Sequence, residues 1–225
     1  MVRRSDPQRA GHKLLDSKYI EARVRGAGDA FRAAGAELAD SLVRSVTTYI
    51  ELLLRWNRKV NLTTITDVDE IISRNFLESF FGARFLATAP GCYCDVGSGA
   101  GFPGLAVKLV RPGWQASLFE PNHKKAAFLS EVGRSLALQG LAVESVRWQD
   151  AQISESSIDA VMARALGDYE SLIPWAAGRV RRGGRALLWL GAADADALRR
   201  LAGFDWHVEP IPHSRERVLL VGTKL

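Results

Sequence analysis

Short apolar runs alternate with helical stretches along the chain that follows Pro90 and Gly91. The runs typical of strands lie at 92–96, 115–119, 141–146, 158–162, 185–190, 207–211 and 217–223. The helical stretches between them lie at 103–110, 124–138, 171–180 and 194–201. This order predicts an α/β fold with a mostly parallel sheet covered on both faces. Because the last two strands leave no room for a helix between them, we expect that pair to be antiparallel.

The segment before this domain has helical periodicity. Between residues 36 and 54 apolar side chains recur every three or four positions, which predicts one amphipathic helix. Residues 61–66 break the pattern, and Asp67 can cap a second helix that carries Ile71, Ile72, Phe76 and Phe80. We therefore predict a small helical cap subdomain at 36–90 and the alternating domain at 91–225.

The first 35 residues are basic and poor in apolar side chains. They hold eight basic and four acidic residues, a local +4 within a net charge of +5. We predict a partly disordered or loosely helical arm, which is either a solvated terminus or an RNA contact.

Composition and targeting signals limit where such a protein works. The apolar content of 47% is that of a globular chain. Cys92 and Cys94 would point to the same face of one strand, so they fit a reducing compartment better than a disulfide framework. The chain begins without an apolar signal segment and has no run long enough to span a membrane. We expect a cytoplasmic monomer.

A glycine-rich turn follows the first strand of the alternating domain. Its sequence from Asp95 to Gly104 is DVGSGAGFPG, and it leads from a strand into a helix. A nicotinamide fingerprint needs glycine at the position of Phe102, whereas the D-x-G-x-G-x-G pattern is that of S-adenosylmethionine-dependent methyltransferases. Glu120 directly follows the next strand, where an acid can accept hydrogen bonds from ribose hydroxyls. The turn and this acid predict cofactor contacts from Gly97, Ser98, Gly99, Gly101 and Glu120.

Four segments make the resemblance specific. The sequence contains WNRKVNLTTI at 56–65, DVGSGAGFPGLAVKL at 95–109, KKAAFL at 124–129 and ARA at 163–165. In this order and spacing the chain resembles the bacterial glucose-inhibited division protein B family from about Leu42 to its C-terminus. The resemblance implies a Rossmann-like S-adenosylmethionine-dependent methyltransferase that modifies N7 of a guanine in 16S ribosomal RNA. The expected partner is 16S ribosomal RNA or a small-subunit particle.

The resemblance also implies cofactor contacts by position. These fall on Gly97, Phe102, Trp148, Gln149 and Arg164. Phe102 and Trp148 can supply apolar walls, Gln149 can bond the adenine edge, and Arg164 can pair with the cofactor carboxylate or hold the substrate side.

Four positions depart from the family pattern. Where the family has Arg-His followed by Asp-Ser, this chain has Arg74-Asn75 and Glu78-Ser79. Leu190 replaces a lysine at the end of the fifth strand, and Gln149 stands where glutamate is common. The reaction class is therefore better defined by the sequence than the substrate.

The sequence contains no recognisable catalytic dyad or metal cluster. Its histidines and cysteines, which we interpret as structural or surface residues, are His12, His123, His207, His213, Cys92 and Cys94. Methyl transfer to guanine N7 needs no general base, because the nucleophile is an unprotonated ring lone pair. Alignment and exclusion of water can supply the catalysis. The catalytic residues therefore stay unassigned, and no metal is expected.

Basic side chains near the turn are candidates for RNA phosphate contacts. We assign this role to Arg74, His123, Lys124 and Lys125, with Arg179, Arg181, Arg182 and the N-terminal arginines as further candidates. Two alternatives stay open. The chain could methylate a non-RNA acceptor, or it could be a noncatalytic cofactor-binding paralogue that acts as an RNA-binding module.

Overall fold

The computed structural model describes residues 16–212, 214 and 216–225. One seven-stranded sheet has the order β3-β2-β1-β4-β5-β7-β6. Its strands are β1 (Cys92–Val96), β2 (Gln115–Phe119), β3 (Leu141–Glu144), β4 (Ile158–Arg164), β5 (Val180–Gly191), β6 (Phe204–Pro210) and β7 (Arg217–Lys224). The strands from β3 to β5 pair in parallel, and β7 is antiparallel to both of its neighbours. The predicted mostly parallel α/β sheet with an antiparallel C-terminal strand is confirmed.

Helices precede the sheet and alternate with its strands. Before β1 come α1 (Ser17–Gly26), α2 (Gly28–Ala33), α3 (Asp40–Val60), α4 (Val68–Glu70), a π-helix (Ile71–Leu77) and α5 (Glu78–Ala83). Between and after the strands come α6 (Gly104–Val110), α7 (His123–Ser135), a 3-10 turn (Trp148–Asp150), α8 (Tyr169–Arg179) and α9 (Ala192–Leu198). Among the described residues, no helix combines the length and apolarity needed to cross a membrane.

The prediction of a loose arm over residues 1–35 is wrong for α1 and α2. Ile20, Val24 and Phe31 are fully buried in these helices, and Asp16 caps α1 by accepting a hydrogen bond from the Lys18 amide. A few well-placed apolar residues were enough to dock α1 on α3 and α4 and to place Phe31 of α2 against Phe80 of α5, although the local composition is polar and basic. The part of the predicted arm before residue 16 lies outside the described residues.

The long cap helix α3 begins later and ends later than predicted. Its last turn carries Asn57, whose side-chain amide donates to the Thr63 carbonyl at 2.8 Å and accepts from the Thr63 amide at 2.9 Å. Asn61 then closes the helix in the left-handed region at φ 50°. The second predicted helix is present, and Asp67 caps it by accepting from the Glu70 amide. Its middle is a π-helix, a widening that often marks functional sites.

The largest differences from the predicted strand boundaries are at the starts of β5 and β6. β5 begins at Val180 because residues 181–184 form a bulge: the pairs Ile158–Val180 and Ala160–Arg185 leave the extra residues unpaired. β6 begins at Phe204, directly after Gly203, whose φ is 108°. Apolar periodicity does not reveal a bulge, since only pairing with the neighbouring strand defines it.

Buried side chains cover both faces of the sheet. Cys94 and Val96 enter the cluster under α8 and α9, whereas Tyr93 enters the cluster on the opposite face. A third cluster contains residues from α1 to α5 together with Leu105, Phe128 and others from α6 and α7. The predicted boundary between residues 90 and 91 therefore marks a change in secondary structure within a shared core.

Candidate active site

The ends of three parallel strands bring the predicted residues to one edge of the sheet. Val96 is level with Phe119 on one side and with Ala163 on the other. The next residue of each strand is a predicted cofactor contact: Gly97, Glu120 and Arg164. We call the edge that these three residues define the carboxyl edge. Ligands of open α/β sheets bind outside this end of the strands.

Three glycines shape the turn after β1. Gly97, Gly99 and Gly101 have φ values of 69°, 55° and 87°, a region that favours glycine. A Cβ on Gly99 would have no neighbour closer than the Gly97 carbonyl oxygen at 3.8 Å, so this side of the turn is open. A Cβ on Gly101 would lie 2.1 Å from the Tyr49 hydroxyl. Gly99 thus leaves room for a ligand, whereas the corresponding space at Gly101 is filled by the cap.

The Glu120 carboxylate holds the turn by two backbone hydrogen bonds. It accepts from the Gly99 amide at 2.9 Å and, through its other oxygen, from the Asn122 amide at 2.9 Å. Only 6% of the residue is exposed. Each carboxylate oxygen can accept a second hydrogen bond. Glu120 can therefore support the glycine turn and accept from ribose hydroxyls at the same time.

A second carboxyl group, Asp95, lies beneath the turn and is fully buried. One oxygen accepts from the Gly104 amide at 3.1 Å, and the other has no hydrogen-bond partner. Burial raises the pKa of Asp95 from 3.8 to about 7, against the opposing effect of the nearby Ser98 hydroxyl and of the Gly104 amide. Ser98 donates its hydroxyl to the Asp95 carbonyl at 3.0 Å. The Ser98 amide donates to the Phe119 carbonyl at 3.1 Å, so both donors of Ser98 are used within the protein, and its predicted cofactor contact stays a prediction.

The cap supports the turn through Tyr49, a residue that sequence reasoning did not single out. Its hydroxyl donates to the Ala100 carbonyl at 2.7 Å. Its ring stacks on Phe102 with centroids 5.1 Å apart and an interplanar angle of 8°. Phe102 is 8% exposed and also meets Phe76 edge-on, so it belongs to the cap core. The sequence signal for Tyr49 was only its place on the apolar face of the cap helix.

Trp148 and Gln149 form the short turn after β3. Trp148 is buried and meets Trp175 edge-on, with ring centroids 5.3 Å apart. Gln149 is exposed. The two predicted contacts therefore differ: Trp148 is fixed by the core under α8, whereas the amide of Gln149 is available to solvent or a ligand.

Arg164, the last residue of β4, lies in a cluster of charged side chains. It donates to the Arg74 carbonyl at 2.7 Å and lies 3.5 Å from a Glu78 oxygen. Arg217 donates to both oxygens of Glu78 through Nε, at 3.1 and 3.2 Å, and again through Nη2. Burial lowers the pKa of Arg164, Glu78 raises it, and Arg217 and Arg74 lower it. Next in the chain, Ala165 adopts φ 52°, a strained conformation for a residue with a Cβ.

The sequence identified Arg164 but neither the role of Glu78 nor that of Arg217. Glu78 was noted only as a departure from the family pattern. Arg217 is 139 positions from Glu78. No local pattern joins residues so distant in sequence, and only the sheet topology brings β7 to the start of α5.

The candidate RNA contacts fall at both edges of the sheet. The first turn of α7 consists of His123, Lys124 and Lys125. Asn122, two residues after Glu120, caps this helix. His123 shares a hydrogen bond with the Ser145 hydroxyl at 2.7 Å. The Arg74 side chain is 40% exposed and pairs with Glu70.

A further group of candidates lies away from the turn. Arg179, Arg181 and Arg182 surround the start of β5, at the edge opposite the carboxyl edge. There Arg181 pairs with Asp159, and Arg179 stacks over Trp175 at 4.6 Å. We call this the amino edge, defined by the first residues of β1, β4 and β5.

Two of the departures from the family pattern, Leu190 and Asn75, are buried side chains. Leu190 is 4% exposed in the core under α8 and α9, a setting that suits an apolar side chain. Asn75 is also 4% exposed and lies in the π-helix. In the part of the chain that the structure describes, no group of three or more histidine, cysteine or acidic side chains could hold a metal ion.

Solved structures with this architecture define the class of protein. A tRNA (m1A58) methyltransferase from Aquifex aeolicus superposes with a TM-score of 0.51 and 14% identity, over 66% of this chain and 68% of that one. TYW2 from M. jannaschii, solved in complex with AdoMet, superposes with a TM-score of 0.54 and 13% identity. The superposition covers 67% of this chain and 74% of that one. These likenesses show the fold of S-adenosylmethionine-dependent methyltransferases.

Sequence comparison defines the family. The profile described as GidB, rRNA small subunit methyltransferase G, matches residues 42–207. The chain belongs to this family. The Ribosomal RNA small subunit methyltransferase G of Roseiflexus sp. (strain RS-1) is 37% identical, over 86% of this chain and 88% of the relative. That of Stutzerimonas stutzeri (strain A1501) is 34% identical, over 84% and 85%. The chain is thus an S-adenosylmethionine-dependent methyltransferase of the rRNA-modifying type, and the predicted family and reaction class are confirmed.

Proposed function

We propose that this chain transfers the methyl group of S-adenosylmethionine to N7 of a guanine in the 16S ribosomal RNA of bacterial small subunits, in the cytoplasm. The observation that supports it is the level placement of Gly97, Glu120 and Arg164 at the carboxyl edge of a chain from this family. The alternatives of a non-RNA acceptor and of a noncatalytic module have no comparable support.

The described residues fit the cofactor. Gly99 leaves open space beside the turn, and Glu120 keeps lone pairs for ribose hydroxyls. Arg164 is the guanidinium at this edge that can meet a carboxylate. Gln149 is free to bond the adenine edge. The bound cofactor supplies an electrophilic methyl group on a sulfonium.

The chain's own groups position the reactants. Guanine N7 carries a lone pair, so the site needs no residue to remove a proton. Asp95 is fully buried beneath the turn and out of reach of an acceptor base. The rigid glycine turn and the strained backbone at Ala165 can fix the alignment of nitrogen, methyl and sulfur on which the rate depends. Lys124 and Lys125, at the start of α7 beside Glu120, are placed to contact RNA phosphates.

The test is methyl transfer into small ribosomal subunits from a strain that lacks this modification. Protein, tritiated-methyl cofactor and subunits are incubated, and labelled nucleosides are separated and mapped. We expect label in 16S RNA as 7-methylguanosine, with large subunits as the control. Deproteinised RNA in a parallel reaction shows whether the particle is needed. Label in another nucleoside, or none in subunits that the protein binds, would contradict the proposal.

A further inference from the structure

The Glu78 carboxylate has an unusual setting. It is 4% exposed and faces two guanidinium groups, those of Arg164 and Arg217, whose side chains are 14% and 25% exposed. Arg217 approaches it side-on with both Nε and Nη2, the bidentate geometry that fixes both partners most firmly. Arg217 also has its amide anchored to the Ser214 hydroxyl at 3.1 Å.

Each member of the cluster comes from a different part of the fold. Glu78 lies where the π-helix meets α5, Arg164 ends β4, and Arg217 begins β7. The Glu78 carbonyl accepts from the Trp189 indole at 3.0 Å, which ties the same residue to β5. Glu78 is therefore held at its backbone by Trp189 and at its carboxylate by Arg217.

Arg164 is the more buried of the two guanidinium groups, and it shares the Glu78 carboxylate with Arg217. Arg217 also lies in the field of Glu216 and Glu70. A largely buried guanidinium that shares its carboxylate is stabilised when a further anion meets it. Arg164 has five N–H donors. It donates one to the Arg74 carbonyl, and its Nη2 lies 3.5 Å from a Glu78 oxygen as an ion pair. Arg164 lies at the carboxyl edge, level with Gly97 and one residue beyond the pair Val96–Ala163.

We propose that Glu78 and Arg217 are a positioning pair that holds the guanidinium of Arg164 toward the carboxylate of the bound cofactor. Arg217 fixes Glu78 with two donors, Glu78 and the Arg74 carbonyl then fix Arg164, and Arg164 meets the anion. The inference rests on the proposed function, because it requires the cofactor to bind at the carboxyl edge. It adds two residues, from the cap and from β7, that govern cofactor affinity without touching the cofactor.

Two ligands that differ at the carboxylate test this role. S-adenosylhomocysteine carries the amino acid end of the cofactor, and 5′-methylthioadenosine lacks it, while both share the adenosine. Calorimetric dissociation constants are measured for both with the wild type, Arg164→Ala, Glu78→Gln and Arg217→Lys. Substitution of a residue that merely stabilises the fold would change the affinity for both ligands alike. Substitution in the positioning pair should change only the affinity for S-adenosylhomocysteine.

We expect Arg164→Ala to weaken the binding of S-adenosylhomocysteine by about 10- to 100-fold, the range of a charge-assisted hydrogen bond. Glu78→Gln should weaken it by about 5- to 20-fold, and Arg217→Lys, which keeps the charge but not the two-donor geometry, by less. Affinity for 5′-methylthioadenosine should stay within about twofold in all three. Arg181→Lys, which alters an ion pair at the amino edge, is the matched control and should leave both affinities unchanged.

The dissociation constants of a variant can be interpreted only if that variant is folded. Glu78→Gln leaves two guanidinium groups around a neutral amide, so thermal unfolding is measured first. Arg217→Lys changes a partly exposed side chain and keeps the test valid if Glu78→Gln does not fold. The positioning role is overturned if Arg164→Ala is selective but the folded Glu78 and Arg217 variants are not. If Arg164→Ala is itself not selective, the proposed assignment of Arg164 to the cofactor carboxylate fails instead.

Discussion

The two edges of the sheet differ in how deeply their charged side chains are buried. At the carboxyl edge Asp95, Glu120 and Glu78 are each less than a tenth exposed. At the amino edge Arg181 and Asp159 pair with side-chain exposures of 54% and 18%. Basic residues are present at both edges, so charge alone does not distinguish them.

This difference in burial favours the carboxyl edge as the ligand-binding edge of the sheet. Burying a carboxylate costs free energy that an exposed pair does not lose. The carboxyl edge also carries the strained Ala165 and the open, left-handed Gly99. Costs of this kind persist where the surrounding structure and a ligand require them. The amino edge satisfies its charges locally, as an ordinary protein surface does.

The largest expected effect comes from Gly99→Val. The branched side chain fills the open space of the turn, so cofactor binding should be undetectable by isothermal titration. Gly183→Val is a matched control, because Gly183 also has a positive φ, 76°, and no atom within 4 Å of its Cβ position. It lies at the amino edge and should bind cofactor as the wild type does, with a similar loss of stability. If Gly99→Val bound the cofactor with wild-type affinity, the assignment of the cofactor to this turn would be wrong.

The two buried or half-buried aspartates should give pH effects of opposite sign. The raised pKa of Asp95 means that the folded protein binds more protons than the unfolded chain between about pH 4 and 7, so its contribution to stability falls as the pH rises. Asp95→Asn should remove this fall, up to roughly 4 kcal/mol at 1.4 kcal/mol per pKa unit. Burial raises the pKa of Asp159, but hydrogen bonds from Cys92 and Arg181 outweigh it and lower the pKa.

Asp159→Asn should therefore remove a contribution that is present above pH 4 and lost in acid. Urea unfolding at about pH 2.5, 4, 5.5 and 7 measures both variants against the wild type. If the stability of Asp95→Asn falls from pH 4 to 7 as steeply as that of the wild type, the buried carboxyl is ionised throughout and the sign argued above is wrong.

A smaller effect is expected for Glu120→Ala. Removing a charged acceptor from ribose hydroxyls should weaken cofactor binding by about 1–3 kcal/mol. Asp159→Ala removes an acceptor of two hydrogen bonds at the amino edge and should lower stability without changing the cofactor dissociation constant. Equal losses of affinity in the two variants would show that Glu120 acts only through the fold.

The smallest effect, in free energy, concerns RNA. Changing Arg74, Lys124 and Lys125 together to alanine should reduce the salt dependence of RNA binding, by a slope of about 0.7–0.9 for each phosphate that is no longer neutralised. Cofactor affinity should hardly change, and methylation should recover as RNA concentration is raised. The amino-edge variant with alanine at Arg179, Arg181 and Arg182 should keep the wild-type slope. The reverse result would place the RNA at the amino edge.

Much of the fold was predictable because it is written in local patterns. The alternation of strands and helices, the cap of Asp67 and the turn around Gly99 each depend on residues close in sequence. Errors arose where distant contacts decide. The helices at Ser17–Gly26 and Gly28–Ala33 form because Phe31 and its neighbours find an apolar surface elsewhere, and the bulge of β5 exists only relative to β4.

The sequence by itself determined the reaction class and predicted the side of the sheet where the cofactor binds. The glycine turn and Glu120 depend on backbone freedom and on strand order, both of which are local properties of the chain. Only the tertiary structure decided that Tyr49 supports the turn, that Asp95 has a raised pKa, and that Glu78 and Arg217 surround Arg164. Hydrogen bonding, burial and ion pairing act over a few ångströms in space, and residues many positions apart meet at that distance only when the chain has folded.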